Sequence, residues 1–244
     1  MKNIKLILQY DGTNYHGFQI QPDVVTVQSA LQDALFEITG VETKVNGCSR
    51  TDAGVHAINY CAGFVTESPI PAERFSLVLN NHLPDDIRVI SSCEMQDDFH
   101  PRFSTVSKEY VYTIDTSGEV NVFSRNYSWQ YKSDLDIKLM NEAASYIVGE
   151  QDFCSFMTTG PVMETTVRNV MSLNISQKDS IVKINIRADG FLYNMVRIIT
   201  GTLVLVGEGK IEPAYVKEII SAKNRSLAGP TAPPQGLALY RIYY

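Results

Sequence analysis

The order in which strand and helix patterns follow one another constrains the fold of this chain more than any other feature. Between residues 3 and 10, Ile4, Leu6, Leu8 and Tyr10 fall on one side, which is the period-two pattern of a half-buried strand. The Asp-Gly pair that follows is a typical turn signal. The first element is therefore predicted to be a strand.

A helix is predicted next, because apolar residues recur at helical spacing between Thr26, a typical N-cap, and Gly40, a typical C-terminal cap. The other elements of the first half are predicted to be two strands, a helix and a strand, at about 43–49, 56–66, 71–81 and 87–95. The first half therefore has the order β-α-β-β-α-β.

A similar order of elements is predicted after the polar stretch at 96–107. The expected elements are a strand at 108–114, a helix at 134–148, strands at 164–176 and 180–189, a helix at 191–206, a further helix after Pro213 and a strand from Leu237 to Tyr243.

Two successive ferredoxin-like units are the simplest explanation of this repeated order, and they predict an α+β fold. We expect their sheets to join into one larger, mainly antiparallel sheet, with helices on one face and an active-site cleft between the halves. The two halves are predicted to be residues 1–105 and 106–244.

Composition excludes several classes of protein. With 44% hydrophobic and 20% charged residues, the chain is typical of a soluble globular protein. The four cysteines, Cys48, Cys61, Cys93 and Cys154, are far apart, so we expect reduced thiols and no zinc site. This spacing also excludes the zinc nucleobase deaminases. No export signal or membrane span is evident, so a cytoplasmic location is predicted.

The net charge of −6 gives no hint of a nucleic-acid partner, because Lys and Arg contacts to phosphates normally dominate such binding. Residues 1–105 contain 7 Lys and Arg against 13 Asp and Glu, whereas the remainder contains 14 of each. Any RNA-binding surface must therefore be a local patch. The candidate phosphate contacts are Arg74, Arg102, Lys108, Arg168, Lys223 and Arg225.

The segment from Gly47 to Ala57 is the most informative for chemistry. It reads G-C-S-R-T-D-A-G-V-H-A between two predicted strands, and its small residues allow a ligand to approach the backbone closely. Arg50 and Asp52 could form an ion pair that keeps the carboxylate charged, and a fixed, ionised carboxylate is a usable nucleophile. An ordinary turn with a surface salt bridge explains the same residues equally well.

The whole eleven-residue string resembles the active-site motif of the tRNA pseudouridine synthase A (TruA) family, in which R-T-D-A-G-V-H carries the catalytic aspartate. Asp52 occupies that position here. The resemblance begins earlier, at Tyr10-Asp11-Gly12 and Tyr15-His16-Gly17-Phe18-Gln19, which are similar to the family's Y-D-G…Y-x-G-W-Q segment. Phe18 stands where the family commonly has tryptophan, which keeps an aromatic plane but removes an indole donor.

Three later segments extend the resemblance. The stretches Asp98–Ser104 and Lys108–Tyr112 are similar to F-H-A-R-F-S…Y-x-Y, so Tyr110 matches the active-site tyrosine. Gly190-Phe191-Leu192-Tyr193-Asn194-Met195-Val196-Arg197 is similar to the F-x-x-x-M-V-R helix, so Arg197 matches the active-site arginine. Thr231–Leu239 is similar to T-A-P-x-x-G-L-x-L, in which the first leucine, here Leu237, lines the base pocket.

Each of these residues also has an ordinary structural explanation. Tyr110 is equally typical of a strand aromatic that packs a sheet. Arg197 is as readily a surface arginine whose stem covers apolar neighbours. Leu237 alone is most simply a core leucine of a strand.

The resemblance implies an enzyme that isomerises uridine to pseudouridine at positions 38, 39 and 40 of the tRNA anticodon stem-loop. It implies Asp52, Arg50 and Arg197 as catalytic residues, Tyr110 and Leu237 as substrate-binding residues, a homodimer, and no metal or organic cofactor. Two other classes of protein are less consistent with these residues. An RNA-binding protein without catalysis would not need to keep all four polar residues, which are Arg50, Asp52, Tyr110 and Arg197. A glycoside hydrolase needs two carboxyl groups, and the segment around Asp52 offers only one.

Overall fold

The computed structural model describes residues 1–158 and 164–244. The described chain divides into two compact units. The first consists of Met1–Val106 together with Ala238–Tyr244, and the second is Ser107–Leu237. The final strand therefore completes the unit that contains the first residues of the sequence.

The chain contains ten strands and five α-helices among its described residues. In chain order they are β1 (Lys2–Tyr10), α1 (Val27–Thr39), β2 (Asn46–Gly47), β3 (His56–Thr66), α2 (Phe75–Leu79), β4 (Ile87–Met95), β5 (Ser107–Asp115), β6 (Trp129–Gln130), α3 (Ile137–Ser145), β7 (Gly149–Asp152), β8 (Val167–Lys178), β9 (Ile181–Ala188), α4 (Met195–Gly207), α5 (Tyr215–Ala222) and β10 (Leu237–Tyr243). Short 3-10 helices cover Ala72–Arg74, Cys154–Phe156, Arg225–Leu227 and Pro234–Gly236.

The first unit is built on the central pair β1 and β3, which run antiparallel with Lys2 opposite Thr66. Strand β4 pairs antiparallel with β1, and β2 pairs antiparallel with β3. Strand β10 adds to β3 in parallel, with Ala238 opposite His56. Alternate residues of β1 are fully buried, as the period-two pattern predicts. The sheet is therefore antiparallel except at β10.

Helix α1 begins and ends where its caps predict. The Thr26 side chain accepts a hydrogen bond from the Ser29 N–H, and the Thr26 N–H donates to the Ser29 hydroxyl at 3.1 Å, so two N-terminal donors that would otherwise lack partners are satisfied. Gly40 takes the left-handed conformation at φ 70° and ends the helix.

The second unit contains the antiparallel strands β5, β9, β8 and β7, with β6 parallel to β5. Helix α4 is its core helix, because eleven of its thirteen residues are buried. Helix α3 packs against α4 and β8. The apolar residues of β9, namely Val182, Ile184 and Ile186, alternate with polar ones and are buried.

The mixed α+β class and the mainly antiparallel pairing are confirmed. Several predicted bounds need correction. The helix expected at 191–206 begins only at Met195, because Asn194 takes a left-handed φ of 61° that a helix cannot contain. The strand expected at 43–49 shrinks to β2, and the helix expected at 71–81 is a 3-10 turn followed by the five-residue α2. No described helix is long and apolar enough to span a membrane.

Candidate active site

Asp52 lies in the turn between β2 and β3 of the first unit. The Val55 N–H donates to the Asp52 carbonyl at 3.1 Å, and Gly54 has a positive φ of 76° that glycine adopts without strain. The Asp52 side chain is half-buried, whereas Arg50, two residues earlier, is exposed. The turn thus holds the carboxylate at the margin of solvent.

The segment 11–18 packs against this turn and supports it through backbone hydrogen bonds. The Phe18 N–H donates to the Thr51 carbonyl at 3.3 Å, and the Gly54 N–H donates to the Tyr15 carbonyl at 3.2 Å. At Gly17, where φ is +85°, an added Cβ would lie 2.3 Å from the Thr51 oxygen. Only glycine allows this approach, so the segment and the turn form one backbone-to-backbone contact.

Buried aromatic rings form the floor of the turn. The Tyr10 hydroxyl lies 2.8 Å from the Thr51 hydroxyl. The Phe18 and Tyr60 rings are stacked with centroids 4.4 Å apart, and the Tyr60 hydroxyl donates to the Ser49 carbonyl. Phe18 is only 3% exposed. In this chain the ring at position 18 therefore packs the turn and needs no indole donor.

A second set of polar contacts fixes the segment 11–18 to the loop between α2 and β4. The Tyr15 hydroxyl donates to the Asp86 carboxylate, and the Asp11 N–H donates to the Asp86 carbonyl at 2.9 Å. Burial raises the pKa of Tyr15 above its ordinary value, and the hydrogen bond and charge of Asp86 raise it further. Tyr15 thus remains a protonated donor throughout the physiological range.

Arg197 lies in the first turn of α4 in the second unit. Its Nε donates to the Ala232 carbonyl at 2.7 Å, and one terminal nitrogen donates to Asn194 Oδ1 at 2.9 Å. The Ala232 N–H donates back to the Arg197 carbonyl at 3.1 Å. The side chain is half-buried, so Arg197 is held by specific acceptors, unlike an arginine whose head is simply solvated.

Tyr110 and Leu237 are both buried in the second unit, each 5% exposed. The Tyr110 ring contacts Phe191 edge to face at 5.1 Å. The neighbouring Tyr112 donates its hydroxyl to the Pro233 carbonyl at 2.7 Å, four residues before Leu237. Burial raises the pKa of Tyr112, although the charge of Arg197 lowers it in part. Tyr112 therefore remains a donor that holds the segment leading to Leu237.

The first unit thus contains Arg50 and Asp52 two residues apart in one segment, and the second contains Tyr110, Arg197 and Leu237. Sequence reasoning missed the residues that support them. Tyr60, Asn194 and Tyr112 belong to strands or helix caps whose patterns indicate packing only, and no local signal distinguishes them from ordinary core residues.

Among the six candidate phosphate contacts, Lys223, Arg168 and Arg225 make polar contacts within the protein, and the Arg102 guanidinium lies over the Phe103 ring at 5.7 Å. Lys223 Nζ forms an ion pair with Asp152 at 2.7 Å. Arg168 donates to the Thr165 carbonyl at 3.1 Å, and Arg225 donates to the Ala228 carbonyl at 3.3 Å. Lys223, Arg168 and Arg225 are therefore weaker candidates than the exposed Arg74. Across residues 1–158 and 164–244, no cluster of three or more His, Cys, Asp or Glu side chains is arranged to hold a metal ion.

Comparison with known proteins assigns the family. The model of the tRNA pseudouridine synthase family matches residues 6–104 and 143–244. The chain belongs to that family. The matched ranges contain Arg50, Asp52, Arg197 and Leu237, whereas Tyr110 lies between them.

Curated relatives cover the whole chain. The tRNA pseudouridine synthase A of Thermoanaerobacter sp. (strain X514) is 46% identical over 244 residues, which is all of this chain and all of the relative. That of Clostridium acetobutylicum is 48% identical over the same length. As a member of the family, this chain is a tRNA-modifying isomerase that converts uridine to pseudouridine.

Among solved structures, a chain of a Cbf5-Nop10-Gar1 complex aligns with 99% of this chain and 58% of its own length. The identity is 12% and the TM-score is 0.35. A score this low does not establish a shared fold.

Proposed function

We propose that this pseudouridine synthase acts on uridines at positions 38, 39 and 40 of the tRNA anticodon stem-loop, with Asp52 as its attacking carboxylate. The observation that carries the proposal is the rigid Asp52 turn, which backbone hydrogen bonds hold on both sides of the carboxylate. A nucleophile held in one geometry needs little further ordering in the transition state. The choice of anticodon stem-loop follows from the resemblance of the motifs to those of the TruA family.

The reaction is an internal rearrangement. The bond from ribose C1′ to uracil N1 breaks, the freed ring turns, and C1′ joins C5, whose hydrogen leaves as a proton while N1 gains one. Asp52 supplies the carboxylate near the reacting carbons, and Arg50 and Arg197 supply positive charge to the anionic ring and carboxylate. Tyr110 offers a ring that stacks on the base, and Leu237 excludes water from its face.

Two routes use one carboxylate. In the first, Asp52 adds to uracil C6 and carries the ring through its turn. In the second, Asp52 removes a sugar proton, which leaves a glycal while the uracil turns. Deuterium at ribose C2′ separates them, because only the glycal route breaks that bond to hydrogen. A primary isotope effect on single turnover supports the glycal route, and its absence supports addition.

The proposal is tested by tritium release from tRNA labelled at uridine C5. Asp52→Asn removes the charge and keeps the shape, so we expect turnover to fall by about 10³-fold or more, with tRNA binding and thermal stability retained. Asp33→Asn, which changes an exposed carboxylate on α1, is the matched control and retains activity. Full turnover by Asp52→Asn refutes the role of Asp52.

Target position is tested separately with tRNA transcripts in which uridine at 38, 39 or 40 is replaced by cytidine. Product is mapped by carbodiimide modification and primer extension. Primer extension stops at a modified pseudouridine, so loss of the stop at the replaced position in each transcript supports the proposed positions. Pseudouridine that forms elsewhere in the tRNA, with these stops absent from the parent transcript, refutes them.

We further propose the homodimer and the cytoplasmic location that the resemblance and the sequence predict. Light scattering of the purified chain at micromolar concentration tests the first. A mass of twice the 27.3 kDa chain supports the dimer, and a monomer mass that persists in the presence of tRNA refutes it. Fractionation of the native cells tests the second, and recovery of the chain outside the cytosol would refute it.

A further inference from the structure

Asn194, the N-cap residue of α4, has an unusual backbone conformation for its position. An asparagine at a helix N-cap normally takes an extended conformation and uses its side-chain oxygen to cap the first turn. Here Asn194 has φ 61° and ψ 8°, and its side chain makes no capping hydrogen bond. The left-handed conformation costs a non-glycine residue free energy, although asparagine tolerates it better than most. The Asn194 side chain therefore does not cap the helix and is available for other contacts.

The Asn194 amide instead bridges two other residues. Its Oδ1 accepts a hydrogen bond from an Arg197 terminal nitrogen at 2.9 Å, and its Nδ2 donates to the Thr158 hydroxyl at 2.9 Å. Because an Arg197 nitrogen can only donate, its partner must be the amide oxygen, so this contact fixes which way the amide faces and leaves Nδ2 to donate to Thr158. The Thr158 N–H donates to the Tyr193 carbonyl at 3.3 Å, which ties the far end of the bridge to the same turn.

The other anchor of Arg197 is equally well fixed. Its acceptor, the Ala232 carbonyl, belongs to the segment 229–232, which packs closely against α4. The Gly229 N–H donates to the Thr202 hydroxyl at 2.9 Å, and a Cβ added at Gly201 would lie 1.9 Å from the Pro230 oxygen. The guanidinium plane is thus held at Nε by a rigid loop and at a terminal nitrogen by Asn194.

We propose that Asn194 is a positioning residue for pseudouridine formation, which acts by holding the Arg197 guanidinium through its side-chain amide. This inference rests on the catalytic role proposed for Arg197. A neutral amide suits the task, because it accepts a hydrogen bond without neutralising the guanidinium charge. A carboxylate at position 194 would instead pair with Arg197 and reduce the charge available to the substrate.

The conformation of Asn194 allows the side chain to be separated from the backbone. Asn194→Gly removes the amide bridge and keeps a residue that adopts positive φ without cost. Asn194→Asp keeps the shape and the oxygen acceptor but introduces negative charge. Asp179→Gly is the matched control, because Asp179 also has a left-handed φ of 53° in the β8–β9 turn and is exposed.

The experiment measures the single-turnover rate at saturating tRNA, the Kd for tRNA and the melting temperature of each variant. We expect Asn194→Gly to slow the reaction by about 10- to 100-fold, the loss typical of a misplaced catalytic group, with Kd and melting temperature close to wild type. Asn194→Asp should be at least as slow, and Asp179→Gly should match wild type. A wild-type rate for Asn194→Gly, or a rate loss that follows a fall in melting temperature, overturns the inference.

Arg197→Ala, alone and combined with Asn194→Gly, separates the two proposals. If Asn194 acts through Arg197, the glycine substitution causes no further loss in the Arg197→Ala background. Equal losses in both backgrounds overturn the positioning role. A wild-type rate for Arg197→Ala refutes the role of Arg197 itself, whereas a slow Arg197→Ala with a wild-type Asn194→Gly refutes only the inference about Asn194.

Discussion

The Asp52 turn and the start of α4 hold their polar groups in different ways. The turn is fixed by main-chain hydrogen bonds and by glycines at close approach, as between Gly17 and Thr51. The Arg197 side chain is fixed by a side-chain amide on its own helix and by the carbonyl of a packed loop. The turn therefore relies mainly on its own backbone, whereas Arg197 relies on one side-chain acceptor and one backbone acceptor.

This difference determines which substitutions each region tolerates. In the turn, an added Cβ at a glycine or a lost ring in the floor disturbs the backbone itself, so folding and activity fall together. At α4, a side-chain acceptor can be removed while the buried helix remains intact, so activity falls before stability does.

The largest effect is expected from removing the ring beneath the Asp52 turn. Phe18→Ala deletes a stacked, buried ring and should lower the free energy of unfolding by about 3 to 5 kcal/mol. Urea unfolding measures the change. Phe123→Ala, at a ring that is 91% exposed, is the control and should change stability by less than about 0.5 kcal/mol. Equal losses in the two variants would contradict the packing role of Phe18.

The next effect tests the backbone contact. Gly17→Ala places a Cβ 2.3 Å from the Thr51 oxygen at a φ of +85°, so strain and overpacking should together cost about 2 to 4 kcal/mol. Gly40→Ala has a similar φ of +70° with nothing within 4 Å and should cost only about 1 to 2 kcal/mol. If both variants unfold at the same urea concentration, the close approach does not contribute and the strain alone explains the cost.

A smaller change in stability, with a larger one in activity, is expected at α4. Gly201→Ala forces the Pro230 carbonyl away from the helix, which should cost about 1 to 2 kcal/mol after the gain in helix propensity. The shift displaces the Ala232 anchor of Arg197, so the single-turnover rate should fall more than stability predicts. Gly207→Ala on the same helix meets the flexible Met140 side chain and should leave the rate unchanged. A rate for Gly201→Ala equal to wild type would show that the anchor is dispensable.

The smallest effect lies outside both regions. The hydrogen bond from Lys223, and then that from Thr166, holds the pKa of Asp152 below its ordinary value. Lys223 is 61% exposed, so Lys223→Ala should lower the stability only slightly at neutral pH, as urea unfolding would measure. Because the pKa of Asp152 is lower in the folded protein than in the unfolded chain, the difference in stability between wild type and variant should be fully present above about pH 4. It should disappear as the pH falls further, through the lowered pKa of Asp152. A difference that persists in acid would contradict the ion pair.

Local patterns predicted the parts of the fold that depend on neighbouring residues. The Thr26 and Gly40 caps give α1 both of its ends, and the bounds of β3 at 56–66 and β10 at 237–243 agree with the alternation in the sequence. The two-residue β2 and β6 are too short to carry a period. The left-handed Asn194, which delays α4 by four residues, depends on contacts with Thr158 and Arg197 that no local pattern contains.

The candidate site was predictable in part for the same reason. Small residues around Asp52 indicate a tight turn on their own, and Arg197 lies on a helix whose type was predicted. What holds each residue is non-local. Gly17 and Thr51 are far apart in sequence but meet without space for a Cβ, and Arg197 depends on Ala232. Periodicity describes the environment of a residue on its own element and does not identify its partner across the fold.

The place of β10 in the first unit affects how the protein is made. Strand β3 lacks its parallel neighbour until the entire second unit, Ser107–Leu237, has been synthesised. During translation the β3 edge that later pairs with β10 is therefore exposed, and an exposed edge can mispair with other nascent chains. Closure of a loop that long also slows folding. The Asp52 turn, which leads directly into β3, thus gains its complete support only at the end of synthesis.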